Sequence, residues 1–192
     1  NSEKMSKSLN NFFLVKDILE QYSPDVLRYF LLSTHYRSPL DFSDERLEEA
    51  NKSLERLSTA IENLLYLEKC EPGPCDEAQH LLEKAKEYEE EFEAAMSDDF
   101  NTALATSSMF GLAKEINIYY QAVTGREGVV CQEAIAEVKR IFKFMTEVIG
   151  ILEKAWEGNT GANADEYEDL MQVILSVRQA CRDQKQWALA DC

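Results

Sequence analysis

Between Ser43 and Cys70 the apolar residues Leu47, Ala50, Leu54, Leu57, Ile61, Leu64 and Leu65 recur at steps of three and four. That spacing follows the 3.6-residue period and gathers the apolar groups into one stripe along a single long helix. The same rhythm returns further along the chain: Leu81, Leu82, Ala85, Tyr88, Phe92 and Met96; then Leu104, Met109, Phe110, Leu112, Ile116, Tyr119, Tyr120 and Val123; then Ile135, Val138, Ile141, Phe142, Met145, Val148, Ile149 and Leu152. A last stripe holds Leu170, Val173, Ile174, Val177, Cys181, Trp187 and Ala188. No convincing strand run appears. With only 7 Gly and 4 Pro in 192 residues, little interrupts these helices. The expected fold is all-α, a helical bundle whose short connections make neighbouring helices antiparallel.

Local signals set the boundaries. Ser23-Pro24-Asp25 is a helix start: a capping hydroxyl, a proline at the first position and an acid in the first turn. The helix it opens carries Val26, Leu27, Tyr29, Phe30, Leu31 and Leu32, is expected to be largely buried, and ends near His35. Residues 1–11 read as an exposed loop and residues 12–22 as a preceding amphipathic helix. His35 to Phe42 read as a loop, extended before Pro39. Ser43-Asp44-Glu45 opens the long helix, Cys70-Glu71-Pro72-Gly73-Pro74 stops it, and the next helix starts near Asp76. Residues 97–101 and 125–128 are breaks, and residues 158–163 a link. The chain divides into residues 1–42, a loop with short helices, and residues 43–192, the bundle.

The formal net charge is −16, which argues against non-specific nucleic-acid binding. The charge is uneven, however. Residues 76–99 carry ten acids and two bases, a glutamate-rich helix face turned to solvent, whereas residues 1–40 carry five bases and four acids. A phosphate site near the N-terminus therefore remains open. Five scattered cysteines, Cys70, Cys75, Cys131, Cys181 and Cys192, are poor material for a disulfide framework. With no signal peptide and no apolar run near the roughly 20 residues of a membrane span, the natural reading is a reduced cytoplasmic protein without a membrane partner. Cys70 and Cys75 bracket a turn, but no second pair completes a metal site, and they read as loop cysteines.

The segment richest in chemistry is Lys4-Met5-Ser6-Lys7-Ser8. Two ammonium groups and two hydroxyls close together on a loop can gather around a triphosphate and neutralise charge developing on leaving pyrophosphate. Followed by Leu9, by Asn11-Phe12-Phe13 and by Pro24-Asp25-Val26-Leu27-Arg28-Tyr29-Phe30-Leu31-Leu32, it resembles the end of the catalytic domain of class I aminoacyl-tRNA synthetases. Three further segments narrow the resemblance to the cysteinyl-tRNA synthetase family: His35 to Ser43 (HYRSPLDFS), Ser97 to Ala105 (SDDFNTALA) and Arg182 to Asp191 (RDQKQWALAD). The ordered match runs from residue 3 to residue 191. It departs from the family at Asn10, where a glycine is usual; asparagine tolerates the left-handed backbone better than most residues.

The resemblance implies activation of cysteine with ATP and magnesium and transfer of the cysteinyl group to its tRNA. Lys7 would contact the ATP phosphates and stabilise the transition state, Lys4 would support it, and Met5, Ser6 and Ser8 would complete the ATP-binding loop. The helical region would follow the tRNA, with Arg28, Arg37, Arg178, Arg182 and Lys185 as candidate phosphate contacts; for each a structural or solubilising role is the alternative. Asp98 and Asp99 are expected to serve in capping and inter-helix bonding rather than acid–base chemistry. The family's His-x-Gly-His motif, Rossmann core, cysteine-sensing zinc site and anticodon-reading module have no counterpart in this sequence. The chain thus reads as a monomeric piece holding no metal and inactive alone. Two alternatives stand beside this: a cysteine ligase of mycothiol synthesis, and a helical module that binds tRNA or protein without chemistry.

Overall fold

The computed structural model describes residues 14–75, 78–125 and 129–158. Its long helices are α3 (Asp44–Leu67), α4 (Gln79–Ser97), α5 (Thr102–Thr124) and α6 (Gln132–Ile149), preceded by α1 (Val15–Leu19) and α2 (Pro24–Leu32) and followed by the short α7 (Glu153–Trp156). The described residues up to Trp156 belong to one compact unit; Glu157 and Gly158 open a second.

The helix starts follow the capping rules. The Ser23 hydroxyl accepts the Val26 N–H at 3.4 Å and Pro24 occupies the first turn of α2. Ser43 accepts the Arg46 N–H at 3.3 Å, and Asp44 and Glu45 place negative charge at the positive end of α3. Asn101 caps α5 by accepting the Leu104 N–H at 3.1 Å.

The stripes meet as expected. Helix α5 packs against α3, α4 and α6, while α4 also packs on α6 and α2 on α3. The shared core holds Leu57, Ile61 and Leu64 of α3, Phe92 of α4, Met109, Leu112 and Ile116 of α5, and Ile135, Ile141 and Phe142 of α6, all essentially without solvent contact. Each such side chain contributes about 1.5–3 kcal/mol by leaving water. Edge-to-face pairs Phe92–Phe144 and Phe142–Trp156, both at 6.1 Å, close the α4 and α7 sides of α6. The indole N–H of Trp156 donates to the hydroxyl of fully buried Thr146 at 2.8 Å.

Several expectations need correction. Helix α2 is buried only through Val26, Tyr29 and Phe30; Leu31 is 53% exposed, because only one side of this nine-residue helix faces α3. Leu104 and Val148 also face solvent. Helix α6 stops at Ile149 and does not include Leu152: Gly150 turns left-handed (φ 74°) and directs the chain into α7. The described part of the first helix is only Val15–Leu19; α4 is described from Gln79, and Asp76, near which its start is expected, lies outside the described residues. A minimal pair of parallel strands, β1 (Glu71–Pro72) and β2 (Val129–Val130), joins the α3–α4 connection to the α5–α6 connection. Beside it the cysteine reading fails for one pair: Cys75 and Cys131 form a disulfide across 56 residues, while Cys70 is free. The pairing was hidden because only bundle packing brings these two connections together.

The glutamate-rich side of α4 is mostly solvated, with one exception. Half-buried Glu89 receives the guanidinium of Arg140 on α6 at 3.0 Å.

Candidate functional site

Two ends of the bundle follow from its up-and-down order. The strand pair and the disulfide mark one. At the other, the loop after α2, the α4–α5 corner and the α6–α7 corner carry polar side chains held in place by each other.

The loop after α2 is pinned to the α4–α5 corner. The Tyr36 hydroxyl donates to the Asp99 carboxylate at 2.8 Å and accepts from Arg37 Nε at 2.9 Å. Arg37 Nη2 lies 3.1 Å from the same carboxylate, and its guanidinium sits 5.4 Å from the centre of the Tyr36 ring. His35 stacks on Tyr36 at 4.8 Å, and its Nε2 lies 3.9 Å from Asp99. Its Nδ1 accepts the Arg37 backbone N–H at 3.2 Å. The hydrogen bond to Asp99 holds the Tyr36 hydroxyl above its usual pKa, since ionisation would remove the donated proton and face two anions; Arg37 works in the opposite direction.

The corner that supplies Asp99 is unusual. Asp99 and Phe100 both have left-handed backbones (φ 55° and 53°), and the Phe100 ring is 67% exposed. A bulky non-glycine residue in that region is costly and persists only where its surroundings enforce it. Asn101 enforces it by capping α5, and Asp99 by anchoring three residues of the opposite loop. Asp99 therefore bonds between elements, while the capping belongs to Asn101.

At the neighbouring corner, Arg28 of α2 donates through Nη1 to the Gly150 carbonyl at 2.6 Å. The Asp25 carboxylate accepts the Leu152 N–H at 3.0 Å. Of the residues selected from sequence, Arg28 and Arg37 are thus each engaged by their own chain. Lys4, Met5, Ser6, Lys7, Ser8, Arg178, Arg182 and Lys185 lie outside the described residues. Sequence reasoning misses Tyr36 and Asp99 as partners, although both fall inside segments that carry the family resemblance; nothing in either segment points to the other.

The described residues offer zinc no ligand set: no three His, Cys, Asp or Glu side chains converge as a metal would require. Among the described residues no helix is long and apolar enough to cross a membrane.

Residues 1–52 match the model of the class I (C) tRNA synthetase catalytic domain, and residues 91–153 match the DALR domain, which spans the α4–α5 corner and α6. A cysteine–tRNA ligase from Desulforamulus reducens is 44% identical over 203 residues, covering 100% of this chain and 41% of the relative. One from Pelotomaculum thermopropionicum is 42% identical over 207 residues with the same coverage. One from the more distant Thermococcus onnurineus is 38% identical across 98% of the chain. The chain spans about two fifths of the length of these relatives. Two domain models in order and matches of this identity across the whole of this chain leave one conclusion: the chain belongs to the cysteinyl-tRNA synthetase family.

Proposed function

We propose that this chain is the part of a cysteine–tRNA ligase that carries the phosphate-binding loop and the helical tRNA-binding bundle, and that it acts in the cytoplasm. The observation that supports it best is the ordered match of the catalytic-domain model, over the segment holding Lys4 to Ser8, and the DALR model behind it. In the whole ligase, Lys7 contacts the ATP phosphates as pyrophosphate departs, with Lys4 adding positive charge and Met5, Ser6 and Ser8 shaping the loop. Charge stabilisation confined to the transition state raises the rate of adenylate formation rather than the affinity for cysteine. Arg178, Arg182 and Lys185, at helical spacing, are proposed phosphate contacts to tRNA. Arg28 and Arg37 would contact phosphate in addition to the bonds they make within the chain.

The test is amino-acid-dependent ATP–pyrophosphate exchange by the whole ligase, followed by charging of tRNA. Cysteine-dependent exchange with charging is expected. Lys7→Ala should lower exchange by about 10²–10³-fold, the scale for losing one transition-state donor, with little change in the cysteine KM. Exchange without charging would assign the protein to the sugar-ligase chemistry instead. No loss with Lys7→Ala, or an equal loss of cysteine affinity, would show that Lys7 does not stabilise the departing pyrophosphate.

A further inference from the structure

We propose that the Cys75–Cys131 disulfide is a reversible, thiol-responsive staple that controls opening of the bundle end where the α3–α4 and α5–α6 connections meet. On the cytoplasmic reading proposed above, a disulfide is characteristically transient or redox-sensing rather than a fixed framework, and the surroundings of this one suit such use. Cys75 lies on the exposed connection, whereas Cys131 is 4% exposed at the start of α6. A thiol therefore reaches the Cys75 sulfur first.

The exchange balances with a dithiol reductant. Its thiolate attacks Cys75 Sγ, the Cys75–Cys131 bond breaks, and the electron pair leaves on Cys131 Sγ. The second thiol of the reductant then displaces Cys75 from the mixed disulfide. The reductant departs as its own disulfide, and the protein gains two electrons and two protons as two thiols.

Apart from the burial of Val130 and Cys131, few bonds remain to hold the connections together after reduction. The ladder is two residues long on each side, Glu71 opposite Val129 and Pro72 opposite Val130. One more backbone bond, from Gly73 N–H to the Val130 carbonyl at 2.7 Å, and one side-chain bond, from Gln132 Nε2 to the Cys70 carbonyl at 2.7 Å, complete the clasp. Neither helix start behind the clasp has a side-chain cap: Ala78 precedes α4 and Cys131 precedes α6. An isolated two-stranded pairing is marginal in water. Breaking the covalent link restores the freedom of a 56-residue separation. Val130 and Cys131 sit at the edge of the core, but α3 and α5 pack on each other and on α2, α4 and α6 along the rest of the bundle, so reduction opens this end locally and leaves the bundle folded.

The experiment uses the full chain. The protein is exposed to oxidised or reduced dithiothreitol, trapped by alkylation and weighed intact, and the linked peptides are identified. Backbone hydrogen exchange is then followed in both states. Oxidised protein should show Cys75 linked to Cys131 and at least two fewer alkylated cysteines than reduced protein, which should show five. Exchange across residues 70–75 and 129–131 should rise at least tenfold on reduction, with the interiors of α3 and α5 unchanged. Cys75→Ser should show the fast exchange without reductant and no response to it. Five alkylated cysteines in the oxidised sample, linkage through another pair, or exchange that ignores the redox state would each overturn the proposal.

Discussion

The carboxylate of Asp25 accepts the backbone N–H of Leu152 at 3.0 Å, tying residues 127 positions apart. One turn along α2, Arg28 donates to the carbonyl of Gly150 at 2.6 Å. The two side chains thus grip both sides of the corner where α6 ends. That corner depends on backbone geometry other residues resist, since Gly150 and Leu152 have φ of 74° and 60°. The segment matched by the catalytic-domain model is in this way fastened to the end of the DALR segment.

Replacing Gly150 with alanine tests this corner. A side chain in the left-handed region costs about 1–2 kcal/mol, and the added methyl would meet the Arg28 guanidinium. Urea denaturation of Gly150→Ala should show a loss of that size or more, and Arg28→Ala a loss of about 1 kcal/mol from the carbonyl bond. A Gly150→Ala protein as stable as its parent would mean that the corner is not held by this glycine and this guanidinium.

Tyr36 should titrate late. Its hydroxyl donates to Asp99, so the neutral form is favoured in the folded protein and its pKa lies above the ordinary value. A raised folded pKa stabilises the fold below the unfolded pKa, near 10 for tyrosine, and that contribution disappears as pH rises through the folded value. The difference in tyrosinate absorbance between parent and Tyr36→Phe isolates this one group. Asp99→Asn should move its midpoint downward. An unchanged midpoint would show that Asp99 does not set it.

Gly111 lies inside α5 where the Tyr88 ring of α4 crosses it, and a methyl there would stand 2.9 Å from the Tyr88 hydroxyl oxygen and nearer still to the ring. In an open helix, glycine to alanine is stabilising by about 1 kcal/mol. Gly111→Ala should instead destabilise, and in a Tyr88→Ala background the same change should stabilise. Thermal melts of the four proteins give the sign in each background. Stabilisation in both would show that the ring yields without cost.

The amphipathic stripes, the caps at Ser23 and Ser43, and the breaks after Cys70 and Met96 are legible in the chain because each depends on residues a few positions apart. The Lys4–Ser8 motif is legible for the same reason, being contiguous. Position in space is another matter. The exposure of Leu31, the chain's own claim on Arg28 and Arg37, and the bond between Cys75 and Cys131 depend on which helix faces and which loops meet. Even the end of α6 escapes the sequence, because the apolar period runs through Leu152 while the backbone turns at Gly150. Periodicity and capping are local energies, and the sequence by itself determined the helices and the family they belong to. Pairing across 56, 62 or 127 residues is decided by packing of the whole core, and only the tertiary structure supplied it.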